Sequence, residues 1–283
     1  MTVINTNTGS LYAQQALNTN NRGLSSVMQQ LSTGRRINSA VDDVAGMAIS
    51  TRLTSQIRGL NQAVRNANDG ISLIQTAEGA TDQVTNMLQR MRELAVQASN
   101  DTNNTQDRSY LDLEFQALTS QIDNIANYTQ WNGANVLNKG VGATAGSSGV
   151  FTFQVGANSG QTISITLDNM TTESGKGLLS TIAGNNITGT TSSGSALSVI
   201  ISALDTVSYA RSNMGAVISR LQFAGDNLAN VSAKAQESRS RIEDTDYSQA
   251  TTELAKRNII QQAAQAMLAQ ANQAPQIVLQ LLR

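Results

Sequence analysis

The sequence predicts a mainly α-helical, elongated protein in which the helices at the two ends of the chain form a coiled coil. Apolar residues near both ends recur at steps of three, four and seven, which is the spacing of one side of a helix. Aromatic residues make up only 4% of the 283 residues, whereas hydrophobic residues make up 40%. A core of Ala, Leu, Ile and Val suits long helices with narrow contacts better than a thick globular interior.

Each end of the chain carries one of these apolar stripes. The members of the first stripe are Leu17, Leu24, Val27, Met28 and Leu31, and those of the second are Leu254, Ala264, Leu268, Ala271, Val278 and Leu282. Either stripe alone would be exposed to water. We therefore expect the two helices to pack against each other or against further copies of the chain.

Two more helices follow the first one. Thr33-Gly34 is expected to end the first helix, because glycine suits the left-handed C′ position. Helical spacing resumes from Leu60 to Ala98, with Gly70 inside the pattern as a site of close backbone approach or a tolerated glycine. A polar turn at 101–105 leads to a third helix, which ends near Asn132-Gly133. The short turn predicts an antiparallel pair of helices.

The period changes in the middle of the chain. Phe151, Phe153 and Val155 alternate with polar residues, as do Ile163, Ile165 and Leu167 after a Gly-containing turn, so a β-hairpin is expected near 150–168. Segment 184–194 is rich in Gly, Ser and Thr and is read as a short exposed loop. Helical spacing returns at Leu197, and a helix of about 35 residues is about 50 Å long, so the fold should be elongated.

The composition argues against most kinds of catalytic and metal-binding site. The chain has no Cys and no His, which removes disulfides, the usual general base and the commonest metal ligand. We expect no catalytic, cofactor-binding or metal site, although carboxylate-based or lysine-based catalysis stays open on composition alone. The adjacent Asp42 and Asp43 do not face each other on a helix, so a charge at a helix N-terminus or a contact between subunits is the favoured interpretation.

Charge and hydropathy do not indicate nucleic acid or membrane partners. The net charge is −1, the basic residues are scattered, and the longest apolar runs are too short to span a bilayer. The first residues contain no apolar core of a secretory signal.

Four motifs resemble one known family. Residues 31–40 (LSTGRRINSA) and 65–72 (RNANDGIS) are similar to the N-terminal signature of bacterial flagellin, and 239–247 (RSRIEDTDY) and 268–273 (LAQANQ) are similar to its C-terminal part. The resemblance covers the beginning and the end of the chain in the order found in flagellins.

The resemblance implies a structural subunit that polymerises into the bacterial flagellar filament. Residues 1–40 and 241–283 would form the inner coiled-coil domain, 41–183 and 195–240 a second helical domain with the hairpin, and 184–194 the loop that replaces the outer domains. The residues expected to hold the terminal coiled coil together are Leu17, Leu24, Val27, Leu31, Leu254, Leu268, Val278, Leu279, Leu281 and Leu282.

The resemblance also implies partners and a location. Flagellins are exported through the flagellar type III apparatus, so we expect a secreted protein of the extracellular flagellum that meets an export chaperone, hook-junction proteins and a cap protein. A host flagellin-sensing Toll-like receptor is a further expected partner, through a patch formed by Arg90, Glu93, Leu94 and Glu114.

Two alternative functions would differ from this one in their residues or their assembly. A hook–filament junction protein would share similar ends but would cap the filament rather than extend it. A flagellin carrying a metallopeptidase would need the His-Glu-x-x-His zinc motif, which a chain without His cannot supply.

Overall fold

The computed structural model describes residues 6–138, 149–172 and 177–281, and for 274–281 it describes the backbone only. These residues form α1 (Thr8–Thr33), α2 (Val44–Ala98), α3 (Thr105–Tyr128), β1 (Gln130–Trp131), β2 (Ala134–Asn135), β3 (Gly149–Gln154), β4 (Thr162–Leu167), α4 (Thr190–Glu243) and α5 (Tyr247–Leu281). The mainly α-helical fold class is confirmed.

The chain divides into two compact units. Unit 1 combines residues 1–57 with 233–283, and unit 2 spans 58–232. The division falls within α2 and within α4, whereas the layer boundaries expected from the resemblance lie at 40/41 and 240/241. Those layers describe a subunit inside a filament, so the expected boundaries stay a prediction.

Unit 1 is built on the pairing of α1 with α5. The first helix ends where the sequence predicts, because Gly34 adopts a φ of 71° and its N–H donates to the Gln30 carbonyl. Asn7 begins the helix by accepting a hydrogen bond from the Ser10 N–H over 3.1 Å, which satisfies one of the unpaired amides of the first turn.

Unit 2 contains the α2–α3 hairpin predicted from the polar turn. Asn104 caps α3: its side chain accepts from the Asp107 N–H at 2.8 Å, and the Asp107 carboxylate accepts from the Asn104 N–H at 3.2 Å. Arg90 of α2 reaches Glu114 of α3, so the two helices run antiparallel. The core of this unit includes Ile74, Leu88, Met91, Phe115, Ile122, Ile165, Leu167, Ile200, Val207 and Leu221.

The predicted hairpin near 150–168 is β3–β4. Its strands pair antiparallel from Gly149 with Leu167 to Gln154 with Thr162, and Ile163, Ile165 and Leu167 face the core as their alternation predicts. Gly70 lies under this hairpin: a Cβ there would lie 3.0 Å from the Phe153 ring, so the close approach considered for this glycine is confirmed.

Two elements differ from the expectation. Asn132-Gly133 does not simply end α3; with φ values of 48° and 79° it forms the turn of the two-residue strands β1 and β2. The last long helix of unit 2 begins at Thr190 instead of near Leu197, inside the segment read as a loop. Ser193 is fully buried and donates to the Gly189 carbonyl over 2.8 Å, so its hydroxyl is satisfied within the first turn of this Ser- and Thr-rich helix.

Candidate assembly surface

The contact between α1 and α5 follows a heptad pattern on both helices. Among the residues of α1 withdrawn from solvent, one set is spaced alternately by three and four, as in the a and d positions of a coiled coil; its members are Ser10, Ala13, Leu17, Asn20, Leu24, Val27 and Leu31. The corresponding residues of α5 are Ala250, Leu254, Arg257, Gln261, Ala264, Leu268 and Ala271. These two sets are called the seam.

Hydrogen bonds show that the two helices run antiparallel. The Asn7 side chain donates to the Ala271 carbonyl at 2.7 Å, and the Asn20 side chain donates to the Arg257 carbonyl at 2.9 Å. At the other end of α1, the Tyr247 hydroxyl donates to the Leu31 carbonyl at 3.3 Å. From Asn7 through Asn20 to Leu31 the partners fall at progressively earlier positions of α5, so the two helices run in opposite directions.

The structure brings six of the ten predicted coiled-coil residues into the seam. Val27 is buried, and five others are half-buried: Leu17, Leu24, Leu31, Leu254 and Leu268. The remaining four cannot be placed in this way. The side chains of Val278, Leu279 and Leu281 and the whole of Leu282 lie outside the described residues. That the seam drives assembly stays a prediction.

Beside the seam, unit 1 exposes a set of large apolar side chains. Leu11, Tyr12 and Met28 of α1 are each more than half exposed, and so are Ile259 and Met267 of α5, at 66% and 63%. Ile260 is 42% exposed and lies one heptad before Met267. Such a concentration of apolar surface on a narrow helical pair is typical of a protein–protein contact.

The segment that follows α1, residues 34–36, contacts the segment that precedes α5, residues 243–245. These two segments together are called the loop junction. Arg35 and Asp244 form an antiparallel β-bridge, and main-chain bonds link Arg36 N to the Glu243 carbonyl and Thr245 N to the Gly34 carbonyl. The Glu243 carboxylate, 13% exposed, pairs with Arg35 at 2.9 Å. It also accepts from the Ser50 hydroxyl at 2.5 Å.

Asp42 and Asp43 have structural partners. The Asp42 carboxylate accepts hydrogen bonds from the Ser39 N–H at 2.8 Å, the Asn38 N–H at 3.0 Å and the Ser39 hydroxyl at 3.1 Å. These bonds, led by that from the Ser39 amide, hold the pKa of Asp42 below its ordinary value. Asp43 accepts from the Gly46 N–H at 2.8 Å and so caps the first turn of α2, in line with the helix N-terminal role favoured for it.

Only part of the patch expected to bind an immune receptor lies at the surface of the protein. Arg90 bonds to Glu114 at 2.9 Å and to Glu93 at 3.0 Å, and these partners, Glu114 first, hold the pKa of Arg90 above its ordinary value. The three side chains are between 46% and 68% exposed. Leu94 is fully buried and belongs to the core of unit 2. It therefore supports the patch from beneath and offers no surface of its own.

Several notable residues of unit 1 were not singled out from the sequence. Asn20, Gly23 and Arg257 lie at the contact between α1 and α5, and Glu243 lies in the loop junction. An apolar stripe does not reveal polar members of a heptad. Continuing the three-and-four spacing from Leu17 through to Leu24 would have placed Asn20 in the seam.

Among the described residues, no group of acidic side chains is arranged to hold a metal ion. Within the same residues, none of the helices combines the length and apolar character needed to cross a bilayer.

The family models and the curated relatives agree on one family. The family model of the bacterial flagellin N-terminal helical region matches residues 4–141. The family model of the bacterial flagellin C-terminal helical region matches residues 197–282. A flagellin of Halalkalibacterium halodurans is 46% identical over 99% of this chain and 100% of its own length. A flagellin of Bacillus subtilis is 42% identical over 99% of each chain. The crystal structure of Bacillus cereus flagellin is 30% identical, covers 58% of this chain and 88% of its own, and superposes with a TM-score of 0.49.

Proposed function

Because the chain belongs to the bacterial flagellin family, whose members are subunits of the flagellar filament, we propose that it polymerises through the α1–α5 pair of unit 1. Polymerisation here means repeated contacts between copies that do not close into a ring and so extend as a helical filament. The finished filament would lie outside the bacterium and serve motility.

The observation that carries this proposal is the apolar surface beside the seam. Met267 and Ile260 lie one heptad apart on α5, and Leu11 and Met28 add apolar area on α1. Burial of apolar surface contributes about 25 cal/mol per Å², so contacts of this kind repeated in every subunit favour a polymer strongly. A partner of the same composition, namely a neighbouring copy, fits a long helical pair better than a small ligand does.

Filament growth tests the proposal. Purified chain is mixed with short filament seeds, and the lengths of the products are measured by negative-stain electron microscopy. We expect the intact chain to extend the seeds and a chain ending at Ser240 to leave them unchanged. Ile260→Gln together with Met267→Gln should abolish extension, because glutamine keeps helix propensity and removes the apolar contact. Ile260→Val together with Met267→Leu is the matched control and should extend the seeds.

The same experiment separates a filament subunit from a junction protein. A hook–filament junction protein would add to the end of a seed and stop. Growth limited to such a short addition by the intact chain would overturn the proposal in favour of that alternative. The export chaperone, hook-junction proteins and cap protein expected from the resemblance are absent from this experiment, which uses only purified chain and seeds.

We further propose that the free subunit is recognised by a host flagellin-sensing Toll-like receptor through Arg90, Glu93 and Glu114. Support comes from the exposed ion-pair network that joins α2 to α3 at these positions. Arg90→Ala should reduce receptor signalling in reporter cells and leave the thermal unfolding midpoint within a few degrees, since exposed ion pairs contribute at most about 1 kcal/mol. Arg65→Ala, an exposed arginine elsewhere on α2, is the control. Equal signalling by both variants would overturn this second proposal.

A further inference from the structure

We infer that a polar centre in the α1–α5 pair sets the register of the two helices, meaning which residue of α1 lies opposite which residue of α5. The polar centre consists of Asn20, Asn21 and Gly23 of α1 with Arg257 and Gln261 of α5. The inference rests on the proposed use of this pair in assembly and adds the residues that make the pairing specific.

The seam is mostly apolar toward both ends and polar in the middle. Around Asn20, which is only 7% exposed, the side-chain amide donates to the Arg257 carbonyl at 2.9 Å. Next to it, the Gln261 side chain donates to Asn21 at 3.2 Å. An amide buried without partners is costly, so a register that breaks these bonds is disfavoured by about tenfold or more.

Gly23 of α1 leaves space for the side chain of Arg257 on α5. The Arg257 guanidinium lies against the Gly23 backbone, where a Cβ would come within 1.8 Å of Arg257 Nη1. The Glu253 carboxylate approaches Arg257 Nε at 2.9 Å and forms an ion pair with it. The space over Gly23 is therefore filled by a charged side chain that reaches across from the other helix.

Moving one helix by a heptad removes this space. Arg257 would then lie opposite Ala16 or Gln30, so the end of its side chain would have to turn aside from a Cβ that Gly23 lacks. Asn20 would move beside Ala250 or Ala264, in the more apolar parts of the seam.

A polar residue at one core position is known to fix register in coiled coils at a cost in stability. The apolar positions of this seam are mostly Leu and Ala and repeat every heptad, so on their own they would accept several registers. The polar centre distinguishes between them.

Cysteine crosslinking in the full chain tests the inference, since the chain has no Cys of its own. One reporter carries Ala13→Cys with Ala264→Cys, which lie between the Asn7–Ala271 and Asn20–Arg257 contacts. The other carries Ala13→Cys with Ala271→Cys and reports a shift of one heptad. Each is oxidised both as soluble chain and after growth on seeds, and intramolecular crosslinks are quantified on non-reducing gels.

In the otherwise unchanged chain we expect the first reporter to crosslink at least about tenfold more than the second. With Asn20→Leu and Arg257→Leu added, this ratio should fall to near one, because an apolar centre fits more than one register. Asn18→Leu with Lys256→Leu, both at exposed positions of the same helices, is the matched control and should keep the ratio.

Three outcomes would overturn the inference. The Asn20→Leu, Arg257→Leu chain could retain the original ratio, or it could lose both crosslinks, which would make the polar centre necessary for pairing instead of register. Filaments that grow normally without the first crosslink would also overturn it and leave the proposed function intact. A chain that forms neither crosslink nor filament would instead overturn the proposed function.

Discussion

At the scale of single residues, Gly70 illustrates how packing can oppose helix propensity. Replacing an exposed helical glycine with alanine stabilises a helix by about 0.5–1 kcal/mol, and Gly79 of α2 has no atom within 4 Å of a built Cβ. At Gly70 the same methyl group meets the Phe153 ring at 3.0 Å. Urea unfolding should therefore show Gly79→Ala to be more stable than Gly70→Ala by about 1–2 kcal/mol. Equal stability of the two variants would mean that the hairpin yields to the added methyl group.

Asp42 gives a residue-scale prediction about pH. Its pKa is lowered in the folded chain by the Ser39 and Asn38 amides, so the stabilisation that it contributes is complete above its unfolded pKa of about 3.9. That contribution is lost as pH falls through the lower folded-state pKa. Asp42→Asn should lower the urea midpoint at pH 7 and leave a smaller difference from the original chain at pH 2. Asp226→Asn, on an exposed part of α4, is the control.

At the scale of elements, the start of α3 depends on a capping box that can be tested directly. Asn104→Ala removes the acceptor for the Asp107 N–H and should cost about 1 kcal/mol. For a unit of this size, that corresponds to a decrease of about 2–4 °C in the melting temperature of unit 2, measured by circular dichroism. Asn104→Ser keeps a good N-cap oxygen and should restore most of the loss. A melting temperature unchanged by alanine would show that solvent caps this helix equally well.

The loop junction depends on one carboxylate, Glu243. Glu243→Ala removes the acceptor of both Arg35 and Ser50, and because hydrogen bonds to charged groups contribute about 1.5–3 kcal/mol, local opening should become at least tenfold more frequent. Hydrogen exchange of the Arg36 and Thr245 amides measures this opening, since both bond across the junction. Glu237→Ala, which changes an exposed carboxylate of the same helix, should leave these two amides unaffected.

Local sequence signals predicted most of these elements. The end of α1 at Gly34, the helix after the polar turn and the alternation of β4 each depend on neighbours in the chain, so their patterns are visible without the fold. The start of α4 at Thr190 was missed because its hydroxyl-rich first turns look like a loop, and burial of Ser193 depends on distant residues. Arg257 was missed for the same reason: a charged residue in a seam is explained only by the glycine opposite it.

At the scale of the whole molecule, the two compact units differ greatly in the apolar area that they bury. Unit 2 has a continuous core in which Phe115, Leu88 and Ile200 are fully buried. In unit 1, most of the described seam residues are only half-buried, and Asn20 is a polar member. Since apolar burial is the main favourable term in folding, unit 1 should be much less stable than unit 2 when the chain is free.

Limited trypsin digestion of the free chain should therefore cut unit 1 first. Arg22 and Lys256 are exposed on α1 and α5, and opening of that pair would make the bonds after them accessible. We expect a resistant fragment that contains 58–232, identified by mass spectrometry, whereas digestion in urea should cut the chain throughout. In seeded filaments the bonds at Arg22 and Lys256 should become resistant, because neighbouring copies would cover the apolar surface of the pair. If the free chain and the filament were cut there at equal rates, α1 and α5 would not be part of the contacts that build the polymer.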